Sequence, residues 1–210
     1  MKIDNFGEIL NSGGQHIEEK LSKEVKGLDV VRRDWCILSK EVGNRLLELI
    51  LSQRPRDDII SDIYLYMDDL GLKFKSLNID IDKFVIYKQL NKLPHEYPAN
   101  SQPHANVAKR MKQKLNISDE QLLHHFIAYV ICQGTSSSYA ERAYSVDEVK
   151  DSKKQKAGPD VEILNPDYAW YANNQIVNPV ARLLEYIDGI DMGRIAKAIG
   201  IDTNKFQSKA

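Results

Sequence analysis

Apolar residues in this chain follow two periods, and the changes between them divide it. From Val30 onward, Val31, Trp35, Leu38, Val42, Leu46 and Leu49 recur at intervals of three and four, the spacing that lines up side chains on one helical face. This helix is expected to stop between Gln53 and Pro55, because proline has no N–H to donate and pushes the preceding residue out of the helical region. A second helix is predicted from Asp57 to Leu70. Its stripe is Ile59, Ile63, Met67 and Leu70, and Gly71 stands where a left-handed cap is wanted. The short connection makes the two an antiparallel pair.

Elsewhere the period shortens or breaks. Lys83 to Leu90 is rich in β-formers and predicts a strand, followed by a loop from Asn91 to Gln102. Pro103 opens a helix whose apolar positions are Val107, Met111 and Leu115. Phe126 to Cys132 is apolar on both faces, which predicts a buried strand, and Ser145 with Glu148 matches a capping box. The polar stretch Asp151 to Pro159 is expected to be an exposed loop. Three helices then follow, over Asn165 to Ile176, Pro179 to Ile187 and Met192 to Ile199. Turn-forming clusters at Asp4 to Gly7 and Asn11 to Gly14 predict a hairpin or frayed entry over Met1 to Glu24. The fold class expected is α+β and mainly helical, with long antiparallel helices and a small β-containing insert.

Composition adds limits. With 42% hydrophobic and 28% charged residues, the 210-residue chain can build a packed domain. Cys36 and Cys132 are too few for a disulfide framework or a four-ligand zinc site and are expected to be buried thiols in a reducing compartment. No apolar run approaches the roughly 20 residues that cross a bilayer, so the expectation is a soluble intracellular protein.

Charge changes the picture more. The whole chain carries −1, but between Lys73 and Lys114 nine basic residues face only Asp80, Asp82 and Glu96, a local net of +6. His95, His104, Tyr87, Tyr97, Asn91 and Asn106 lie in the same stretch. A phosphate backbone rewards such clustering through counterion release and charge-assisted hydrogen bonds; a solvated surface, with Lys109 to Lys114 complementing a helix C-terminus, accounts for it as well. Arg32 and Arg33 could fork onto phosphate or onto carboxylates.

Self-sufficient catalytic chemistry is absent from the pattern. Asp57-Asp58 and Asp68-Asp69 are adjacent pairs whose side chains diverge on a helix and do not share a metal ion readily. His124-His125 lacks ligand spacing, and Cys132 has no neighbouring base. There is no Gly-rich phosphate loop, nucleophile elbow or zinc motif.

Three long motifs carry a resemblance. Lys26 to Trp35 (KGLDVVRRDW) resembles the palm-to-thumb junction of family B DNA polymerases. Phe84 to Met111 (FVIYKQLNKLPHEYPANSQPHANVAKRM) is similar to the stretch of their thumb in which Lys-x-Leu, Tyr-Pro and Pro-His-x-x-Val-Ala occur in that order. Ala169 to Leu183 (AWYANNQIVNPVARL) with Ile187 to Asp202 (IDGIDMGRIAKAIGID) resembles the thumb's C-terminal helices. Trp35, the Pro-Val-Ala-Arg and the Asp-Gly-Ile-Asp are most similar to the alpha type of the eukaryotic replicative enzymes. Where the family has a Gly-Asp turn before its buried strand, this chain has Leu122-Leu123-His124-His125.

The resemblance implies a junction segment over residues 1–28, a thumb over 29–206 and a tail over 207–210, in a nuclear polymerase that extends RNA–DNA primers. The thumb is then expected to hold primer–template duplex, whether RNA–DNA hybrid or DNA, through its backbone and minor groove. Lys88, Lys92, Tyr97, His104 and Arg110 are the expected contacts, with Arg32 and Arg33 contacting duplex or bracing the junction. No catalytic residue and no cofactor is expected here; the family's two magnesium ions belong to palm carboxylates whose motif this chain lacks. Primase and the polymerase accessory subunit are the implied partners of the parent enzyme. Two other classes remain open at this point: a helical protein-docking module, and a stand-alone duplex-binding factor.

Overall fold

The structure, a computed structural model, describes residues 35–154 and 163–201. The entry hairpin, Arg32, Arg33, the beginning of the first predicted helix, the junction and the tail all lie outside the described residues.

Helix α1 (Ile37–Ile50) starts on Cys36, whose extended backbone leaves the helix and whose Sγ accepts from the Ser39 N–H at 3.4 Å. Leu38, Val42, Leu46 and Leu49 are all buried, as the stripe required. Helix α2 (Arg56–Lys75) begins after Pro55 and carries Asp57 and Asp58 in its first turn, where the helix dipole favours acids. It does not end at Gly71. The helix continues to Lys75, and Gly71 is a buried interior position.

Strand pairing starts later than the pattern predicts. Residues Ile81–Phe84 form a 3-10 turn, because the Asp80 carboxylate accepts from the Asp82 N–H at 3.1 Å, and β1 covers only Ile86–Gln89. Helix α3 (Pro103–Leu115) has Pro103 in its first turn, but its buried positions are shifted toward that end. His104, Ala105, Asn106, Val107 and Ala108 are buried, whereas Leu115 is exposed. Before the next strand, where the family has its Gly-Asp turn, the chain makes a single helical turn, α4 (Asp119–Leu122), closed by a reciprocal Ser118–Gln121 cap; His124 (φ +65°) and His125 turn outward. Strand β2 (Phe126–Ile131) is buried at Ile127 and from Tyr129 on, half-buried at Ala128 and exposed at Phe126. The pattern missed β3 (Ala143–Ser145) altogether. Its last residue starts helix α5 (Val146–Lys154): the Ser145 N–H donates to Glu148 at 2.7 Å and the Glu148 N–H to Ser145 Oγ at 3.2 Å, the capping box expected. That helix takes in Asp151 to Lys154, which were expected in a loop.

The two helices expected around Pro179 are one. Helix α6 (Tyr168–Tyr171) passes through a π turn, Ala172–Val177, into α7 (Asn178–Leu184). Pro179 has no N–H for a carbonyl four residues back, and the widened turn before it removes the demand for one. Helix α8 (Met192–Ile199) is capped at its start by the Asp191 carboxylate on the N–H groups of Gly193 and Arg194, at 2.8 and 3.3 Å. Its Ile195, Ala196 and Ile199 are buried against α2. There Gly71 finds its reason: a Cβ on it would lie 2.0 Å from the Ala198 carbonyl oxygen. Among the described residues no helix is long and apolar enough to cross a membrane.

The sheet is antiparallel in the order β1-β2-β3. Ile86 pairs with Tyr129 and Lys88 with Ile127, so one further step places Phe84 opposite Ile131. The Tyr171 hydroxyl takes that step instead. It accepts from the Ile131 N–H at 3.0 Å and donates to the Phe84 carbonyl at 2.7 Å. Burial pushes this phenol well above its ordinary range, so it keeps the proton it donates. Phe84 and Tyr171 also pack ring on ring, 4.7 Å between centroids, with Phe74 and Tyr168 edge-on around them. This aromatic group joins the helical layer to the sheet.

Candidate nucleic-acid interface

The sequence-predicted contacts meet where β1 runs beneath the start of α3. Lys88 is half-buried on β1, and its ammonium donates to Gln102 Oε1 at 3.3 Å. Gln102 is the residue preceding α3. It makes no side-chain cap to the helix, and the first turn holds no acid, so the positive end of the helix dipole faces the region of Lys88 without a compensating carboxylate. His104, in that first turn, is 2% exposed. Burial first and the Lys88 charge second push its imidazolium down, to about 4. The Tyr97 ring stands edge-on to it, 5.2 Å between centroids.

The loop between β1 and α3 is held by its own polar groups. The Asn91 N–H donates to the Tyr97 hydroxyl at 3.0 Å, and the Leu93 N–H to Glu96 at 2.7 Å. Between these two anchors Lys92 is exposed, and among the described residues it makes no ion pair. Asp119 fastens the loop from the other side. One carboxylate oxygen meets His95 Nδ1 at 2.8 Å and the other Lys112 at 3.0 Å. These hydrogen bonds hold the Asp119 carboxyl below the usual range. Lys92 is therefore an exposed side chain on an anchored loop, so a phosphate contact would have to order only the side chain and not the backbone.

Arg110 is placed differently. Its guanidinium donates to Glu148 at 3.1 Å and to the Ala143 carbonyl, and lies 4.9 Å over the Tyr144 ring. Burial alone would raise the Glu148 carboxyl, but the bonds from Arg110 and Ser145 outweigh it and hold it low. Arg110 thus braces α3 against β3 and α5, and it meets a ligand only with the donors left over.

The basic excess of the sequence is largely spent within the fold. Lys73, Lys83, Lys112 and Lys114 pair with Asp69, Glu41, Asp119 and Asp151; among the described residues Lys75, Lys88, Lys92 and Lys109 make no ion pair, and of these Lys88 and Lys92 lie at this corner. Asn106, which the sequence offered as capable of a phosphate or sugar contact, is instead buried and donates to the Ala140 carbonyl at 2.9 Å. Asn100 donates to Glu141 at 2.6 Å, so the loop from Gln133 to Arg142 is tied to the same corner. Both cysteines are buried, and burial pushes each thiol up to about 12, far from a nucleophile's range. Among the described residues no three His, Cys, Asp or Glu side chains are grouped to hold a metal ion.

Comparison with known proteins gives this corner its setting. The sequence model for DNA polymerase family B matches residues 12–187. The DNA polymerase alpha catalytic subunit of Oxytricha trifallax is 40% identical over 99% of this chain and 14% of its own length. That of Leishmania donovani is 40% identical over 96% of this chain, again 14% of its own length, and that of Xenopus laevis is 37% identical over 89% and 12%. The chain thus spans about a seventh of the relatives it matches. Among solved structures, the family B DNA polymerase of the hyperthermophilic archaeon Pyrobaculum calidifontis superposes with a TM-score of 0.59 at 26% identity, over 75% of this chain and 18% of that one. A match that runs through most of the chain, with an ordered helical and β arrangement to accompany it, leaves one conclusion: the chain belongs to DNA polymerase family B.

Proposed function

We propose that this chain is the thumb region of an alpha-type replicative DNA polymerase, and that it holds the primer–template duplex by its sugar–phosphate backbone. The observation that carries the reading is the corner where Lys88, Tyr97 and His104 converge at the start of α3, with Lys92 exposed beside them on an anchored loop. Backbone contacts position a duplex without reading its sequence, which a polymerase that moves over any template requires. Arg110 contributes through its unused donors, and Arg32 and Arg33, which lie outside the described residues, are further candidates to contact the duplex or brace the junction. The parent enzyme is a nuclear DNA-directed DNA polymerase that extends RNA–DNA primers, working with primase and an accessory subunit. Among the described residues no carboxylate cluster fits the family's metal pair.

Fluorescence anisotropy of the chain with a labelled primer–template, at several salt concentrations, tests this. Binding is expected to weaken linearly in log–log form as salt rises, and Lys88→Ala and Lys92→Ala are each expected to lower the slope by about 0.9. Unchanged affinity and slope in both variants would sink the assignment.

A further inference from the structure

His104 is the one member of this corner whose chemistry is constrained on every side. Its Nδ1 is enclosed without a hydrogen-bond partner, and the whole side chain is only 2% exposed. A buried N–H without an acceptor is the rarer and costlier defect, and an under-used lone pair the milder one. The proton therefore belongs on Nε2, and Nδ1 keeps its lone pair inside. The charged group facing the ring is Lys88 from β1, with the Tyr97 ring from the loop. A second cation at this spot is opposed by that ammonium and by burial.

We infer that His104 meets the duplex as a neutral hydrogen-bond donor through Nε2–H, aimed at a backbone oxygen, and that Lys88 alone supplies the charge at this point. The inference rests on the proposed duplex-binding role of the corner. It separates two quantities that a basic patch merges. Neutralising a phosphate with a lysine releases counterions and sets the salt slope; a neutral donor adds affinity and geometry but releases none. The partner group is an acceptor-only oxygen of the sugar–phosphate backbone, which an imidazole N–H fits and an imidazole lone pair does not.

The test compares His104→Leu, which keeps bulk and removes the donor, with His104→Gln, which keeps a neutral N–H, both beside Lys88→Ala. His104→Leu is expected to weaken duplex binding about tenfold with the salt slope unchanged. His104→Gln is expected to recover most of that loss, and Lys88→Ala to lower the slope. A slope lowered by His104→Leu, or equal affinity of His104→Leu and the unmodified chain, overturns the neutral-donor role while leaving the interface in place. No binding by the unmodified chain overturns the interface and this role with it. Long-range proton–nitrogen NMR of the unmodified chain gives a check independent of any variant's folding. The His104 Nε2 should carry the proton and Nδ1 none from pH 8 to pH 5.5; the opposite tautomer, or a ring charged at pH 6, overturns the inference.

Discussion

Gly71→Ala is the smallest change that tests how the two ends of this chain are packed together. The added Cβ would stand 2.0 Å from the Ala198 carbonyl oxygen and 2.7 Å from its carbon. A comfortable C···O contact is about 3.3 Å, so α2 and α8 must part by more than 1 Å, and both atoms met are backbone, with no side chain to swing aside. Alanine gains about 1 kcal/mol of helix propensity over glycine. Against it stands overpacking of about 3 kcal/mol, the upper end of the usual cost. If α8 lifts away instead, much of the burial of Ile195 and Ile199, about 1.5–3 kcal/mol each, is lost. The net is a destabilisation of about 2–4 kcal/mol, or roughly 5–15 °C in Tm for a chain of this size. Urea and thermal melts followed by circular dichroism measure it. Ala198→Gly in the same background should restore nothing, since the obstacle is its carbonyl. A Gly71→Ala chain as stable as the parent, or stabilised by the propensity term, would refute the close crossing.

Two further outcomes follow from the buried polar groups. Tyr171→Phe strips the bridge between the Ile131 N–H and the Phe84 carbonyl and should cost about 2–3 kcal/mol, with faster hydrogen exchange at the Ile131 amide; unchanged exchange there would show that the strands close up without it. His104 titrates well below its ordinary value of 6.5, near 4, so the unfolded chain takes up its proton first. The stability this represents is whole above pH 6.5 and is lost as pH falls toward 4, on the order of 2–3 kcal/mol. His104→Gln should flatten that part of the stability curve, and an unaltered slope between pH 6.5 and 4.5 would contradict it.

What could be read from the sequence was what is decided locally. The Leu38 to Leu49 part of the α1 stripe, Pro103 at the start of α3 and the Ser145–Glu148 box each depend on neighbours within a turn or two, and these hold; Trp35, expected in the same helix, is not part of it, because α1 starts only after the Cys36 cap. Gly71 shows the limit. A glycine after a periodic run signals a cap by local rules, yet its role depends on Ala198, which lies on α8, far along the chain. The π turn escaped for a similar reason: the proline that marks a break locally is absorbed by a wider turn. At the candidate interface, sequence named Lys88, Lys92, Tyr97 and His104, which the fold gathers at one corner. It also named Arg110, from the motif and the charge together, and neither reveals that Glu148 and the Ala143 carbonyl already hold it. The +6 segment was legible as a sum; which lysines spend their charge internally was decided by carboxylates brought in from outside it, such as Glu41 and Asp151.

The hydroxyl of Tyr171 gives the sheet and the helical layer a common mechanical joint. Tension applied along β1, as by a strand of duplex gripped at Lys88, reaches Phe84 and passes into the Tyr171 ring. One helical turn further along, Gln175 holds the Cys36 N–H at 2.9 Å, at the head of α1. Strand, tyrosine, widened turn and first helix are so connected by hydrogen bonds at each junction. If this corner holds duplex as proposed, a displacement there has a hydrogen-bonded route to the start of α1 that runs through Tyr171 and Gln175.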